Sequence, residues 1–138
     1  MDSHIVTARG ALRIAIGLMA TLAGLDKFVN LLADWPSYVA PAAAHLLPFS
    51  AQIFMYIVGI IEFGVGITIL FVRPSLGAFV ASAWLLLVAA NLVIGGHFDI
   101  AVRDIVLAVA SFALAQLSTV EATATSTAIA TSPRTAAA

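Results

Sequence analysis

The stretch GALRIAIGLMATLAGLDKFVNLLADWP, residues 10–36, is an apolar run that leads into a polar segment containing Asp26, Lys27 and Asp34. A helix needs about 20 apolar residues to cross the roughly 30 Å hydrocarbon core of a membrane. This run is long enough, and three further apolar stretches of similar length follow it. The sequence therefore predicts an all-α fold, a four-transmembrane-helix antiparallel bundle, with spans at about residues 12–32, 51–72, 76–94 and 100–117.

The composition agrees with a membrane protein and excludes several functions. Of the 138 residues, 62% are hydrophobic and 9% are charged, whereas soluble domains carry about 25% charged residues. The net charge is −1 with no basic block, so nucleic acid is not expected as a partner. The chain has no cysteine, which excludes disulfides and thiol redox chemistry. Any redox electrons would pass through a bound cofactor or a partner protein.

The connections and charges predict how the spans are arranged. The break at Arg73 and Pro74 is so short that the second and third spans must form an antiparallel hairpin. Cytoplasmic loops of membrane proteins carry the excess of Lys and Arg. The side of the predicted bundle that holds both termini carries four such residues, and the other side carries two. Both termini are therefore predicted to be cytoplasmic. One side holds Arg9, Arg13, Arg73 and Arg134, and the other holds Lys27 and Arg103.

Two segments outside the spans have their own predicted character. The loop at residues 33–50 contains Trp35, Tyr38 and three prolines, and we expect a short interfacial helix there that covers the polar residues. Residues 119–138 are low in complexity and poor in large apolar side chains, so they are predicted to be a disordered tail. The chain thus divides into a membrane domain, residues 1–118, and a tail.

The polar residues of the spans fall mostly at one end of the predicted bundle. A charge in hydrocarbon costs several kcal/mol unless it is paired or hydrated, so we expect one buried polar cluster. Within it, Asp26 is predicted to pair with Arg103, and Asp99 lies one helical turn before Arg103, a spacing that also favours an ion pair. In an alternative interpretation, Lys27 does not join the cluster, and its long side chain carries the ammonium group to the membrane interface. The residues at this end are Asp26, Lys27, Asn30, Asn91, His97, Asp99, Arg103 and Asp104.

Glu62 differs from these residues because it lies near the middle of the second span with no cation expected at its depth. Gly59 and Gly66 share its helix face, which predicts close packing against another helix. Two interpretations stay open for Glu62. It is either a proton-handling or ligand-binding acid, or a neutral side chain that is hydrogen-bonded within the bundle.

Catalytic and metal motifs are not recognisable in the sequence. His45 and His97 share one predicted side, but no HxxxH or HExxH spacing exists, so no metal site is predicted. Nucleophile, phosphate-loop and dinucleotide motifs are also absent. The catalytic residues, if there are any, are therefore unknown. Whether the polar cluster is structural or binds a ligand stays open, because both uses need the same residues.

The order of three segments resembles a known family. These are GLDKF, then DWPSYVAP, then NLVIGGHFDIAVRDIVLAVAS. Over about residues 9–117 the chain resembles the DoxX-like group of small bacterial four-helix integral membrane proteins. The resemblance is carried by Arg13, Gly17, Asp26, Lys27, Glu62, Gly66, Asp99 and Arg103.

This resemblance implies a multi-pass protein of the bacterial plasma membrane. It implies a non-catalytic membrane subunit or anchor for a soluble or membrane oxidoreductase, with a quinone as candidate cofactor. Two alternatives stay open, a quinone-linked oxidoreductase subunit with its own ligand site and a small proton-coupled transporter. A homo-oligomer is also compatible with the resemblance. The missing cysteine counts against a family role in thiol or sulfur exchange.

Overall fold

The computed structural model describes the backbone of residues 2–131 and the side chains of residues 2–127. In this part every element is helical, and four helices are long and apolar enough to cross a membrane. The all-α, four-span prediction is therefore confirmed. The helices are α1 (Ser3–Asp26), a 3-10 helix (Trp35–Tyr38), α2 (Pro41–Leu46), α3 (Ala51–Ile67) with a π-helical turn (Thr68–Val72), α4 (Pro74–Ile94) and α5 (Phe98–Thr131).

The four long helices alternate in direction, so the bundle has two chemically different ends. The arginine end carries Arg9, Arg13 and Arg73, and the lysine end carries Lys27, the loop that follows it and the α4–α5 turn. Arg73 and Pro74 join α3 to α4 directly, as the predicted hairpin requires. Which end faces the cytoplasm stays a prediction from the charge count.

The first helix begins and ends earlier than predicted. The Asp2 side chain accepts a hydrogen bond from the backbone N–H of His4 and caps the start of α1. At the other end α1 stops at Asp26, and Asn30 adopts a left-handed conformation with φ 51°, which asparagine tolerates better than most residues. Asn30 therefore lies in the loop after α1 and not in the first span, where it was predicted.

The last helix continues where a disordered tail was expected. α5 has 34 residues and runs through Thr131. Alanine is the strongest helix former, and the threonine hydroxyls here donate to carbonyls four residues earlier, as Thr123 does to Thr119 and Thr125 does to Glu121. These hydroxyls are thus satisfied without leaving the helix. The remainder of the predicted tail, residues 132–138, lies outside the described residues.

Glycines hold α1 and α3 in close contact. Gly24 lies against Gly59, and Gly17 lies near Gly66, and the two glycines of each helix are seven positions apart. A Cβ added at Gly24 would lie 2.7 Å from the carbonyl oxygen of Gly59, and one at Gly66 would lie 2.8 Å from that of Gly17. Real Cβ contacts are longer, so the two backbones can approach this closely only without side chains. The predicted close packing on the face of Gly59 and Gly66 is confirmed.

Small residues also form the buried face of α5, whose main neighbour is α4. In lipid the hydrophobic effect gives little drive for helices to associate, so close packing of small side chains carries more of the stability. The buried positions of α5 recur every three or four residues, the spacing of one helix face. They are Ala101, Asp104, Ala108, Ser111, Leu114, Ala115 and Ser118.

Large apolar side chains cover much of the outside of the helices. Exposed apolar surface this extensive is not typical of a soluble monomer, but it suits contact with lipid chains. Examples from all four long helices are Ile14, Leu18, Leu22, Ile60, Phe71, Leu86, Leu87, Val102, Val106 and Val109.

Candidate functional site

A buried ion pair joins α1 to α3 at the lysine end. The Nζ atom of Lys27 lies 2.5 Å from Oε2 of Glu62, and the two side chains are 4% and 14% exposed. Two expectations are corrected here. Glu62 does have a cation beside it, and the Lys27 ammonium group points back to Glu62 instead of away from the bundle.

The geometry of α1 explains the pairing. Helix side chains point back toward the N-terminus of their helix. Accordingly, the Lys27 ammonium group reaches back to the carbonyl of Ala23, at 3.4 Å. The contact between Gly24 and Gly59 brings the two helices so close that the ammonium group meets Glu62. The glycine contact and the ion pair are therefore parts of one arrangement.

Both tryptophans of the chain complete this site. Trp84, from α4, donates its Nε1–H to Oε1 of Glu62 at 3.3 Å. Trp35, from the 3-10 helix, places its ring centroid 3.7 Å from the Lys27 ammonium nitrogen, a cation–π contact. We call Asp26, Lys27, Trp35, Glu62 and Trp84 the lysine cluster. The expected short helix in the loop is present, and its Trp35 covers Asp26 and Lys27.

Asp26 is held by the loop rather than by α5. Its carboxylate accepts hydrogen bonds from Nε1 of Trp35 at 2.7 Å and from the backbone N–H groups of residues 31 and 32 at 3.0 Å each. Arg103 is 62% exposed and approaches Oδ1 of Asp104 at 3.4 Å. The predicted pairing of Asp26 with Arg103 is therefore wrong. The chain folds back over the end of α1, so nearby loop N–H groups reach the carboxylate first.

The other predicted residues divide into two groups. Asp104 is buried on α5. Asn30 and Asp99 are exposed, and Asn30 donates to the side chain of Gln52 at 3.2 Å. The expected pairing of Asp99 with Arg103 is absent from the described ion pairs, in which Arg103 meets Asp104.

Asn91 anchors the loop instead of joining the lysine cluster. Its Oδ1 accepts the backbone N–H of Ala40 at 3.1 Å, and its Nδ2 donates to the carbonyl of Tyr38 at 2.8 Å. The ring of Tyr38 meets His97 edge to face, at 5.1 Å between centroids. These contacts connect the loop after α1 to the α4–α5 turn.

Replacing Asn91 by Leu is expected to loosen this loop. Ala40 is buried, and a buried N–H without an acceptor costs about 1–3 kcal/mol. The loop at residues 33–50 should then be cleaved several-fold faster in limited proteolysis, as followed by intact mass. Thr123→Leu is the control, because Thr123 is exposed on α5 and lies outside this loop. Equal cleavage rates for the two variants would contradict the anchoring role of Asn91.

Sequence reasoning missed the two tryptophans as members of the site. A signal for them exists, since a buried indole N–H needs an acceptor and the acids of the spans are the strongest acceptors available. The described residues contain no group of three His, Cys, Asp or Glu side chains that could hold a metal ion.

The four apolar helices and the lipid-compatible exterior define the class of this molecule. It is a small, multi-pass integral membrane protein. No family model matches the chain, and no curated protein or solved structure gives a significant match. The resemblance to the DoxX-like group therefore stays a prediction.

Proposed function

We propose that this protein is a non-catalytic membrane subunit or anchor for an oxidoreductase system. One observation carries the proposal, namely that the charged groups of the lysine cluster are bonded to neighbouring residues of the chain. Lys27 contacts Glu62 and the ring of Trp35, and Glu62 also accepts from Trp84. A catalytic acid or base needs access to its substrate. Groups bonded in this way instead hold α1, α3, α4 and the loop together.

The class of partner comes from the resemblance to DoxX-like proteins. That resemblance implies a soluble or membrane-bound redox enzyme, and possession of a partner agrees with a chain that has no recognisable catalytic residues. A bacterial plasma membrane is the location that the same resemblance implies. Assembly with further copies of this chain is compatible with the proposal.

A specific observation also favours a second candidate, a quinone-linked subunit with its own ligand site. A cation, an acid and two indole rings converge in the lysine cluster. Aromatic rings stack on indoles, and a quinone oxygen would accept a hydrogen bond from the Lys27 ammonium group. A small proton-coupled transporter has less support, because Glu62 is held in an ion pair.

Native mass spectrometry of the tagged chain, gently extracted from its own membrane, tests the first proposal. We expect a redox enzyme to remain bound in stoichiometric amount. A bare monomer or a homo-oligomer, under conditions that keep other membrane complexes intact, would contradict the anchor role.

The same spectra test the quinone candidate. A quinone-mass adduct should disappear with Glu62→Gln while the protein partner stays bound. Glu121→Gln is the matched control, because Glu121 is also in an ion pair between helices, with Arg9, but at the opposite end. Loss of the adduct in both variants, or in neither, would contradict a ligand site at the lysine cluster. Substrate flux in proteoliposomes that falls with Glu62→Gln would instead favour transport.

A further inference from the structure

A polar cleft of about 610 Å³ opens at the arginine end, far from the lysine cluster. It lies between α1, the α3–α4 turn and α5. The side chains that matter for its chemistry are Arg9, Arg13, Arg73, Ser118, Glu121 and Thr125.

The cleft has an excess of positive charge. Three arginines and one glutamate line it, which leaves two positive charges without a carboxylate. Arg9 pairs with Glu121 at 2.5 Å. Arg73 is exposed, and no ion pair among the described residues includes it.

Arg13 is fixed in place by backbone groups that do not neutralise it. It donates Nε–H to the carbonyl of Ile69 at 3.0 Å and an Nη2 hydrogen to the carbonyl of Leu70. These carbonyls lie in the π-helical turn that ends α3, where the last carbonyls of a helix lack partners within it. None of the described ion pairs includes Arg13, so no carboxylate offsets its charge at the edge of the cleft.

Two buried polar atoms at the cleft have no partner in the described part of the chain. They are Oγ of Ser118, in a residue that is 6% exposed, and Nε of Arg9. By contrast Ser111, two turns earlier on α5, donates to the carbonyl of Leu107 at 2.8 Å. Buried polar atoms are rarely left unbonded in folded proteins. A hydroxyl and a guanidinium N–H that both lack a partner in a basic cleft indicate a missing acceptor.

We propose that this cleft binds a phosphate group. Several guanidinium N–H donors and a hydroxyl suit an anion with several acceptor oxygens, and arginine forms paired hydrogen bonds with phosphate. The phosphate belongs either to a lipid headgroup or to a soluble molecule. This site is independent of the redox partner proposed above.

A neighbouring apolar cleft makes a phospholipid the expected source. It has a volume of about 500 Å³, and it shares Arg9 and Arg13 with the polar cleft. Its other walls include Ile14, Leu18 and Phe71. A phosphate beside the arginines with an acyl chain along these residues would fill both clefts with one molecule.

Lipid binding to the delipidated full chain in detergent, measured by native mass spectrometry, tests the proposal. Phosphatidylglycerol should bind the unchanged chain at least tenfold more tightly than it binds the Arg73→Gln variant. The reason is that one charged hydrogen-bonding group is worth about a factor of ten in affinity. Arg103→Gln is the matched control, an exposed arginine at the lysine end. It should leave binding within about twofold.

Ser118→Ala separates a ligand role from a merely structural one. Without a ligand, removing a buried hydroxyl that has no partner should leave the melting temperature unchanged or higher. With the lipid, affinity should fall about threefold to tenfold. An unchanged affinity for Ser118→Ala and Arg73→Gln together would overturn the proposal.

A second binding experiment distinguishes a lipid headgroup from a soluble molecule as the source of the phosphate. Inorganic phosphate and glycerol phosphate are added at millimolar concentration while lipid binding and the melting temperature are followed. Stabilisation by these soluble probes that is lost in Arg73→Gln would assign the site to a soluble phosphate. Binding of phosphatidylglycerol alone would assign it to a lipid. If neither phosphatidylglycerol nor the soluble phosphates bind, the proposed phosphate site is overturned. That result would not affect the proposal of a redox partner.

Discussion

Replacing Lys27 by Met is expected to destabilise the protein by about 3–5 kcal/mol, the usual cost of removing one partner from a buried ion pair. Glu62 would stay at its buried position with only the Trp84 N–H as a donor. The contact of the ammonium group with Trp35 would be lost as well. The measurement is the free energy of unfolding during titration with a denaturing detergent in mixed micelles.

The double variant Lys27→Met with Glu62→Gln separates the ion pair from general damage to the core. Removing both charges takes away the uncompensated acid, so the double variant should be more stable than Lys27→Met alone. Arg103→Met is the control for loss of a cation at the same end, and because Arg103 is 62% exposed it should change stability by less than about 1 kcal/mol. A Lys27→Met effect as small as that of Arg103→Met would show that the pair does not hold α1 to α3.

Gly66→Ala is expected to separate α1 from α3 and to destabilise the protein by about 1–3 kcal/mol, the range for overpacking a well-packed core. The added Cβ would lie 2.6 Å from the backbone nitrogen of Thr21 and 2.8 Å from the carbonyl oxygen of Gly17. Backbone atoms cannot turn away as a side chain can, so a whole helix must move. The same detergent titration measures the loss.

Gly64→Ala is a closely matched control, because it makes the same change two residues away on the same helix. Apart from the adjacent residues and the backbone of its own helix, a Cβ at Gly64 would have no atom within 4 Å. Alanine also favours the helix over glycine by up to about 1 kcal/mol, so this variant should be neutral or slightly more stable. Equal effects of the two variants would contradict close packing through the glycines.

The number of spans and the glycine contact were predictable because each depends on a local pattern. Apolar length predicts the spans, and glycines on one face predict a close helix neighbour, as Gly59 and Gly66 show. The partners of the charges were not predictable in the same way. Lys27 reaches Glu62 only because its side chain points back along α1, which a count of residues along the span does not capture.

Asp26 and α5 illustrate two other reasons for failure. For Asp26, the prediction compared charged partners and did not include the loop N–H groups that surround the carboxylate. For residues 119–131, composition alone does not separate an alanine-rich helix from a disordered tail, since both are poor in large apolar side chains. The orientation of the bundle depends on a lipid environment and stays a prediction from the charge count.

The separation of Lys27 from Glu62 along the chain also affects how the protein is made. The two partners are 35 residues apart, and ribosomes add about 5–20 residues per second. Lys27 is therefore synthesised roughly 2–7 s before its partner. During this interval the first span carries a cation without its carboxylate, so its final position in the bilayer must await the arrival of the second span.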